Sequence, residues 1–521
     1  MKNIIINKIN IFILSVALLC GGCLNLDENA ISILAPESFY KNEKDVEMAV
    51  FGAYKYFTQE SFWGRRYTTC IALLDDIHDI GDPSTSAERI QINNHKHDGA
   101  NGMIGTFWQP IYQASTAANA AIDALSKITI TNQTKASELE AEARMIRAFC
   151  YYQLVRLFGD VPYIGDFGAN PWTQANLTRT PASEIWEHII EDCKFGEQNL
   201  PTTYSGDIRC RPTKGSAKTM LASIYLTLGN WSEAAKYAEE VINNRATYGY
   251  DLMTDYTDIW KSNPVGDVKE FIWSIDFYGG NDDDLWGCMT GARGTSMFSK
   301  PGVPGLGGWS VVVPSRGYYG IFDVNDHRKE ATFFLEAPGP EAVGYATIPY
   351  TEFYPSYAQR IHFGKYRWPG PNADGEGRYS GRNYSFFRFA EVYLIAAEAL
   401  AEVNNGPTAA ALGYLNKIRE RARFGSTAAD APADYPSGMS KQAFIDAVLK
   451  ERMLEFGGEF NRWWDIVRRD LGAVAFGPNT IEVNANRETN NPLWGPTKKY
   501  LLPLPIGEIS RNPNLVQNNG Y

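Results

Sequence analysis

The chain has 521 residues and a formal net charge of −11, which argues against nucleic acid and anionic lipid as partners. Hydrophobic residues at 44% and charged residues at 21% describe a globular protein, long enough for two domains or one large one. Helices can absorb many of its 13 Trp, 29 Tyr and 26 Phe, but core is a poorer explanation for those clustered with Gly and Asn in loops.

In chain order the first feature is Lys2 and Lys8 followed by the apolar run Ile11–Leu19, shorter than the roughly 20 residues a membrane span needs. Residues 1–22 therefore read as a secretory signal. Gly21-Gly22 before Cys23 resembles a bacterial lipobox, which makes Cys23 the expected lipidated first residue of the mature chain. Asp27-Glu28 resembles the acidic tag that directs some lipoproteins to the outer face of the outer membrane. Cys70, Cys150, Cys193, Cys210 and Cys288 remain, an odd set without C-x-x-C spacing. This is no disulfide scaffold, although one bridge, such as Cys193 to Cys210, stays open.

From about 36 to 250 the pattern is helical. Asn42 with Asp45 reads as an N-cap, opening a helix through Val46, Val50 and Ala53. A second helix is expected from Phe107 to about Leu125. A third is expected over ELEAEARMIRAFCYYQLVRLFGDVP, stopped by Gly159. Helices near Ser216–Leu228 and Ser232–Asn243, joined by Gly229-Asn230-Trp231, look like a tetratricopeptide unit that needs stacked neighbours. Residues 387–423 read as a second unit, far along the chain. Between them the helical period fails, and glycines, prolines and short strand-like runs such as Phe271–Ile275 take over. The expected layout is a signal at 1–22, an N-terminal helical repeat part at 23–250, a loop-rich insertion at 251–385, and a C-terminal repeat part and tail at 386–521.

Several segments resemble the SusD/RagB family of outer-membrane nutrient-binding lipoproteins of Bacteroidetes. They are the Cys23 lipobox, Pro36–Phe57, Arg144 to Phe158-Gly159-Asp160-Val161-Pro162, Arg388–Val392 with Ala397–Ala399, Glu451-Arg452 through Arg468, and the ending Leu504-Pro505 to Gly520-Tyr521. The resemblance implies a mainly α fold of tetratricopeptide-like repeats, about four helix pairs, with loops building the ligand site. It also implies a SusC-like TonB-dependent transporter as partner, with glycan or peptide as cargo. The family shares no binding motif to carry over residue by residue.

The site is therefore expected from physics. Sugars offer a C–H face that stacks on flat aromatics and a hydroxyl rim that needs hydrogen-bonding partners. The stretch GLGGWSVVVPSRGYYG supplies Trp309, Arg316, Tyr318 and Tyr319, of which the two adjacent tyrosines would not both face a ligand on an extended segment. NDDDLWG supplies Asp283, Asp284 and Trp286, and the early loop from Phe62-Trp63 to Asp98, with its flank, supplies Trp63, Asp79 and Asn101. Trp368 completes the set. Trp108, Trp186, Trp231, Trp463 and Trp464 fall on helical patterns and read as core. His95 and His97 lack a third ligand nearby and read as surface, so no metal and no cofactor is expected. G-x-S-x-G, H-E-x-x-H and P-loop motifs are absent from the sequence, and nothing marks a glycosidase pair among its 60 acidic residues. The expectation is a non-catalytic glycan-binding lipoprotein. A peptide receptor of the same architecture, a glycoside hydrolase and an assembly scaffold are the alternatives.

Overall fold

The computed structural model describes residues 40–521 apart from 166–173, 206–208, 262–267, 280–283, 299–306, 369–379, 425–431, 479–480 and 482–483. The signal segment, Cys23 and Asp283 lie outside the described residues. The first helix, α1 (Glu43–Tyr54), opens on a full capping box: Asn42 accepts from the Lys44 and Asp45 amides, and the Asp45 carboxylate accepts from the Asn42 amide. Beyond it lie α2 (Arg66–Leu74), α3 (Gly102–Lys127), α4 (Gln133–Phe158), α5 (Ala182–Asn199), α6 (Lys214–Thr227) and α7 (Trp231–Asn243).

After the insertion come α8 (Phe389–Val403), α9 (Ala409–Ala422), α10 (Lys441–Glu455) and α11 (Arg462–Arg468). From α3 to α9, each helix packs on the next. The two repeat-like units, α6/α7 and α8/α9, are far apart in sequence, yet α7 packs directly on α8. Stacking of this kind buries the apolar face that no unit can bury alone.

The expected stop at Gly159 is real: it caps α4 with φ +69°, a left-handed value that favours glycine. The middle of α4 is buried on all sides, because α3 and α5 cover it from two directions. Its Arg147 stays charged inside through two bonds to Asp192 of α5, at 2.7 and 2.8 Å, and a third to Asn119 of α3.

Among the described residues, four two-stranded antiparallel sheets organise the rest: β1 (His78–Ile80) with β3 (Val312–Pro314), β2 (Phe271–Ile275) with β8 (Tyr384–Arg388), β4 (Phe333–Phe334) with β7 (His362–Phe363), and β5 (Glu336–Pro338) with β6 (Thr347–Pro349). The β2/β8 pair matters most, because the insertion leaves the helices on one strand and returns on the other. Buried charges lock that junction. Arg388 at the end of β8 pairs with Glu270 before β2, with Glu455 of α10 and with Glu459. Arg421 of α9 reaches the same Glu270 and Glu455. One apolar core runs from the helices into the insertion and takes in Trp273, Trp286 and Val312. All five described cysteines are free, so the bridge left open between Cys193 and Cys210 does not form.

Candidate functional site

The two loops singled out in the sequence meet. Asp75 starts the first by accepting from the Ile77 and His78 amides at 2.9 and 3.0 Å, and Asp76 ties it to α11 through two 2.7 Å bonds from Arg462. This sets β1 against β3, with Asp79 opposite Val313, and joins the segment after α2, a helix where the sequence suggested loop, to the stretch after Trp309. A third segment, Tyr350–His362, lies over the pair. Arg360 donates to the Asp79 carboxylate at 2.9 Å and to the carbonyls of Ile80 and Pro314 at 3.0 Å, so it bridges both strands.

Arg293 plays the same part further along. Its guanidinium donates to Asp82 at 2.9 Å and to the Tyr357 hydroxyl, while its side chain stays 45% exposed. Tyr354 beside it is 76% exposed. Gly294 lets the segments close: its φ is +73°, and a Cβ there would run into the Tyr354 carbonyl.

A hydrogen-bond relay holds the two arginine-bearing segments together. Burial drives the His362 imidazole down to about 4, so it is neutral at physiological pH. Its Nδ1 lies 2.7 Å from the Arg360 carbonyl and must therefore carry the proton; Nε2, 2.8 Å away, accepts from the Ser310 hydroxyl. Ser310 Oγ in turn accepts from the Arg293 amide at 2.8 Å. Trp309, next in the chain, is half-buried against Cys288 and Phe298.

The result is an open face with aromatic surface from Tyr354 and Tyr357 and a rim of Asp79, Asp82, Arg293 and Arg360, with Trp309 next in the chain to the Ser310 that accepts from the Arg293 amide. Flat rings beside charged donors and acceptors suit a sugar's C–H face and its hydroxyls.

Of the residues expected here, Asp79 accepts from Arg360 in this face, and Trp309 adjoins it through Ser310. Arg316 is exposed and Tyr319 half-buried, with Lys329 Nζ 4.1 Å above the Tyr319 ring. Trp368 is half-buried between Lys261 and Arg367.

Six expectations need correction. Trp286 and Tyr318 are fully buried: Trp286 packs on Phe460, and the Tyr318 hydroxyl donates to the Met453 carbonyl at 2.6 Å. Asp284 is also interior, bonded by Tyr384, and burial raises its carboxyl to about 7. Trp63 stacks among Phe62, Tyr67 and Phe386, so an apolar cluster takes its ring from any ligand. Asn101 is the N-cap of α3: its Oδ1 accepts from the Met103 amide. His95 and His97 are buried rather than at the surface, both held neutral chiefly by burial, His97 at about 3.

Sequence reasoning missed Arg293, Tyr354, Tyr357 and Arg360. The stretch YTEFYPSYAQR carried the signal: three tyrosines around a proline inside the insertion, the same pattern that drew attention to Trp309.

A helical-repeat scaffold presenting a polar and aromatic loop face is a binding architecture, and comparison with known proteins identifies its kind. The SusD family matches residues 269–521, and the family described as starch-binding associating with outer membrane matches residues 38–226. The SusD-like protein P2 of Formosa agariphila is 38% identical over 521 residues, 99% of each chain. The crystal structure of a SusD homolog from Bacteroides thetaiotaomicron superposes with a TM-score of 0.79 at 21% identity, covering 93% of this chain and 98% of that one. Surface glycan-binding protein A of Bacteroides thetaiotaomicron, in complex with laminarihexaose, gives 0.73 at 22% identity over 92% of this chain and 100% of its own. The chain belongs to the SusD family.

Proposed function

We propose that the protein captures glycan at the cell surface and delivers it to a SusC-like TonB-dependent transporter, without cleaving it. The observation that carries this reading is the loop face, where Tyr354 and Tyr357 lie beside Asp79, Asp82, Arg293 and Arg360. Family membership supports the class of ligand, and a structural neighbour that holds laminarihexaose makes β-glucan oligosaccharides the first probes. Binding rather than catalysis fits the carboxylates of the face. Asp79 accepts from Arg360 and Asn93, and Asp82 from Arg293 and Ser84, so each is committed to fixed donors rather than placed for proton transfer. Among the described residues no helix is long and apolar enough to cross a membrane, and membrane attachment is assigned to a lipidated Cys23.

Affinity electrophoresis of the protein across neutral and acidic polysaccharides, with a peptide digest as competitor, tests the reading. Retardation by a polysaccharide that emerges undigested is expected. Retention of peptide with no polysaccharide retarded would overturn the ligand class.

A further inference from the structure

Away from the loop face lies a second cleft of about 610 Å³, between the end of α4, the start of α5, α11 and the C-terminal tail. Its size falls within the range of small-ligand sites. Its lining reverses the charge of an acidic chain. Arg156, Arg179, Arg468, Lys498 and Lys499 face it, against the single carboxylate of Asp160.

Arg468 is neutralised internally, paired with Glu398 and Asp465. Arg156 donates to the Tyr152 carbonyl and to Gln153, with its guanidinium between the rings of Tyr152 and Trp464 at 3.6 and 3.8 Å. Arg179 donates to the carbonyls of Asp160, Phe158 and Val516 and to Asn518. Among the described residues no carboxylate lies within ion-pair distance of either. Lys498 is 7% exposed, with its ammonium 4.6 Å above the Tyr521 ring and Glu488 as its acidic neighbour, a carboxylate that does not line the cleft.

The backbone that presents these lysines is held in an unusual form. Lys499 and Tyr500 have φ of +49° and +66°, two consecutive left-handed residues without glycine. The Tyr500 hydroxyl pins the turn, donating to Asp470 at 2.6 Å and accepting from the Gly472 amide at 2.9 Å. Strain kept in place by surrounding bonds is found at ligand sites more than elsewhere. Trp186 and Trp464 add half-buried aromatic surface to the same wall.

We propose that this cleft is a second binding site, specific for acidic saccharide, in which Lys498, Arg179 and Arg156 take a uronate carboxylate or sulfate ester and the tryptophans pack against the ring. It deepens the glycan reading, since it adds a charged subsite remote from the neutral one. Guanidinium and ammonium donors recognise carboxylate and sulfate alike, so probes must separate the anion from the sugar that carries it.

The test is calorimetric titration of the full chain with an oligogalacturonate, with a neutral glucose oligomer of equal length, and with sodium sulfate. Wild type, Lys498→Met with Arg179→Gln, and Tyr354→Ala are compared. The expected result is oligogalacturonate binding that drops at least tenfold in the Lys498/Arg179 variant, weakens with added salt, and is unchanged in Tyr354→Ala. Thermal melting of each variant confirms folding, and Lys498→Arg should restore affinity if the double variant is unstable. Oligogalacturonate affinity unmoved by the double variant, or neutral-oligomer affinity that falls as far as oligogalacturonate affinity in it, overturns the proposal. Sulfate binding as tight as oligogalacturonate overturns the saccharide part and leaves a plain anion site. Loss of neutral glycan binding in Tyr354→Ala alone concerns the loop face and leaves this cleft standing.

Discussion

Tyr354 and Tyr318 are both loop tyrosines of the insertion, and they act in opposite ways. Tyr354 offers its ring to solvent, while Tyr318 is sealed among Phe322, Phe333 and Phe363. Replacing each with alanine should separate binding from stability. Tyr354→Ala is expected to lower glycan affinity about tenfold with little change in melting temperature. Tyr318→Ala should cost about 3–5 kcal/mol of stability, read by chemical denaturation. Asp284 gives a sharper test. Its carboxyl titrates near 7 in the folded protein against 3.8 ordinarily, so the native state holds a proton that the unfolded chain has lost. Stability from this group is greatest at low pH and declines as pH rises toward 7. Asp284→Asn removes the titration, and should gain on the wild type by about 2–3 kcal/mol between pH 5 and pH 8. What the sequence could not show at this scale is which loop aromatics face inward. Trp286 and Trp309 share a glycine-rich context, and only the packing of Phe460 and Phe298 against them separates the two.

Among the elements, the helices were legible because their signals are local. Asn42 with Asp45, the spacing through α4 and Gly159 each act within a few residues. The insertion was legible as irregular and no further, since β1/β3 and β2/β8 join segments more than a hundred residues apart. The charges that clamp those junctions are long-range too. Glu455 accepts from Arg388 and Arg421, with Arg328 3.4 Å away, and those three guanidinia, with Lys365, hold its carboxyl well below the usual carboxylate range. Removing one member leaves opposite charge buried and unpaired, which outweighs the pair's own net value. Glu455→Gln is therefore expected to destabilise by about 3–5 kcal/mol in urea unfolding, whereas Asn42→Ala at the α1 cap should cost only about 1 kcal/mol.

For the whole molecule, buried histidines set the response to acid. His95, His97 and His362 are held neutral by burial, His97 at about 3 and His362 at about 4. As pH falls below 6.5 the unfolded chain takes up protons that the native interior refuses, so stability present above 6.5 is lost on the way to 4. Glu398, drawn down to about 2 against its burial by Arg468 and Arg469, extends the loss below 4.5. The denaturation midpoint should fall between pH 7 and pH 4, and His362→Gln should flatten that fall by about 2–3 kcal/mol.

Glycan capture on the loop face is tested most directly by calorimetry with a neutral glycan that retards the protein in native gels. Wild type is compared with a Tyr354→Ala, Arg293→Gln variant and with Lys498→Met, all checked by thermal melting. Binding lost by at least tenfold in the Tyr354/Arg293 variant, and kept in Lys498→Met, is the predicted result. Unchanged affinity in a folded Tyr354/Arg293 variant would contradict it.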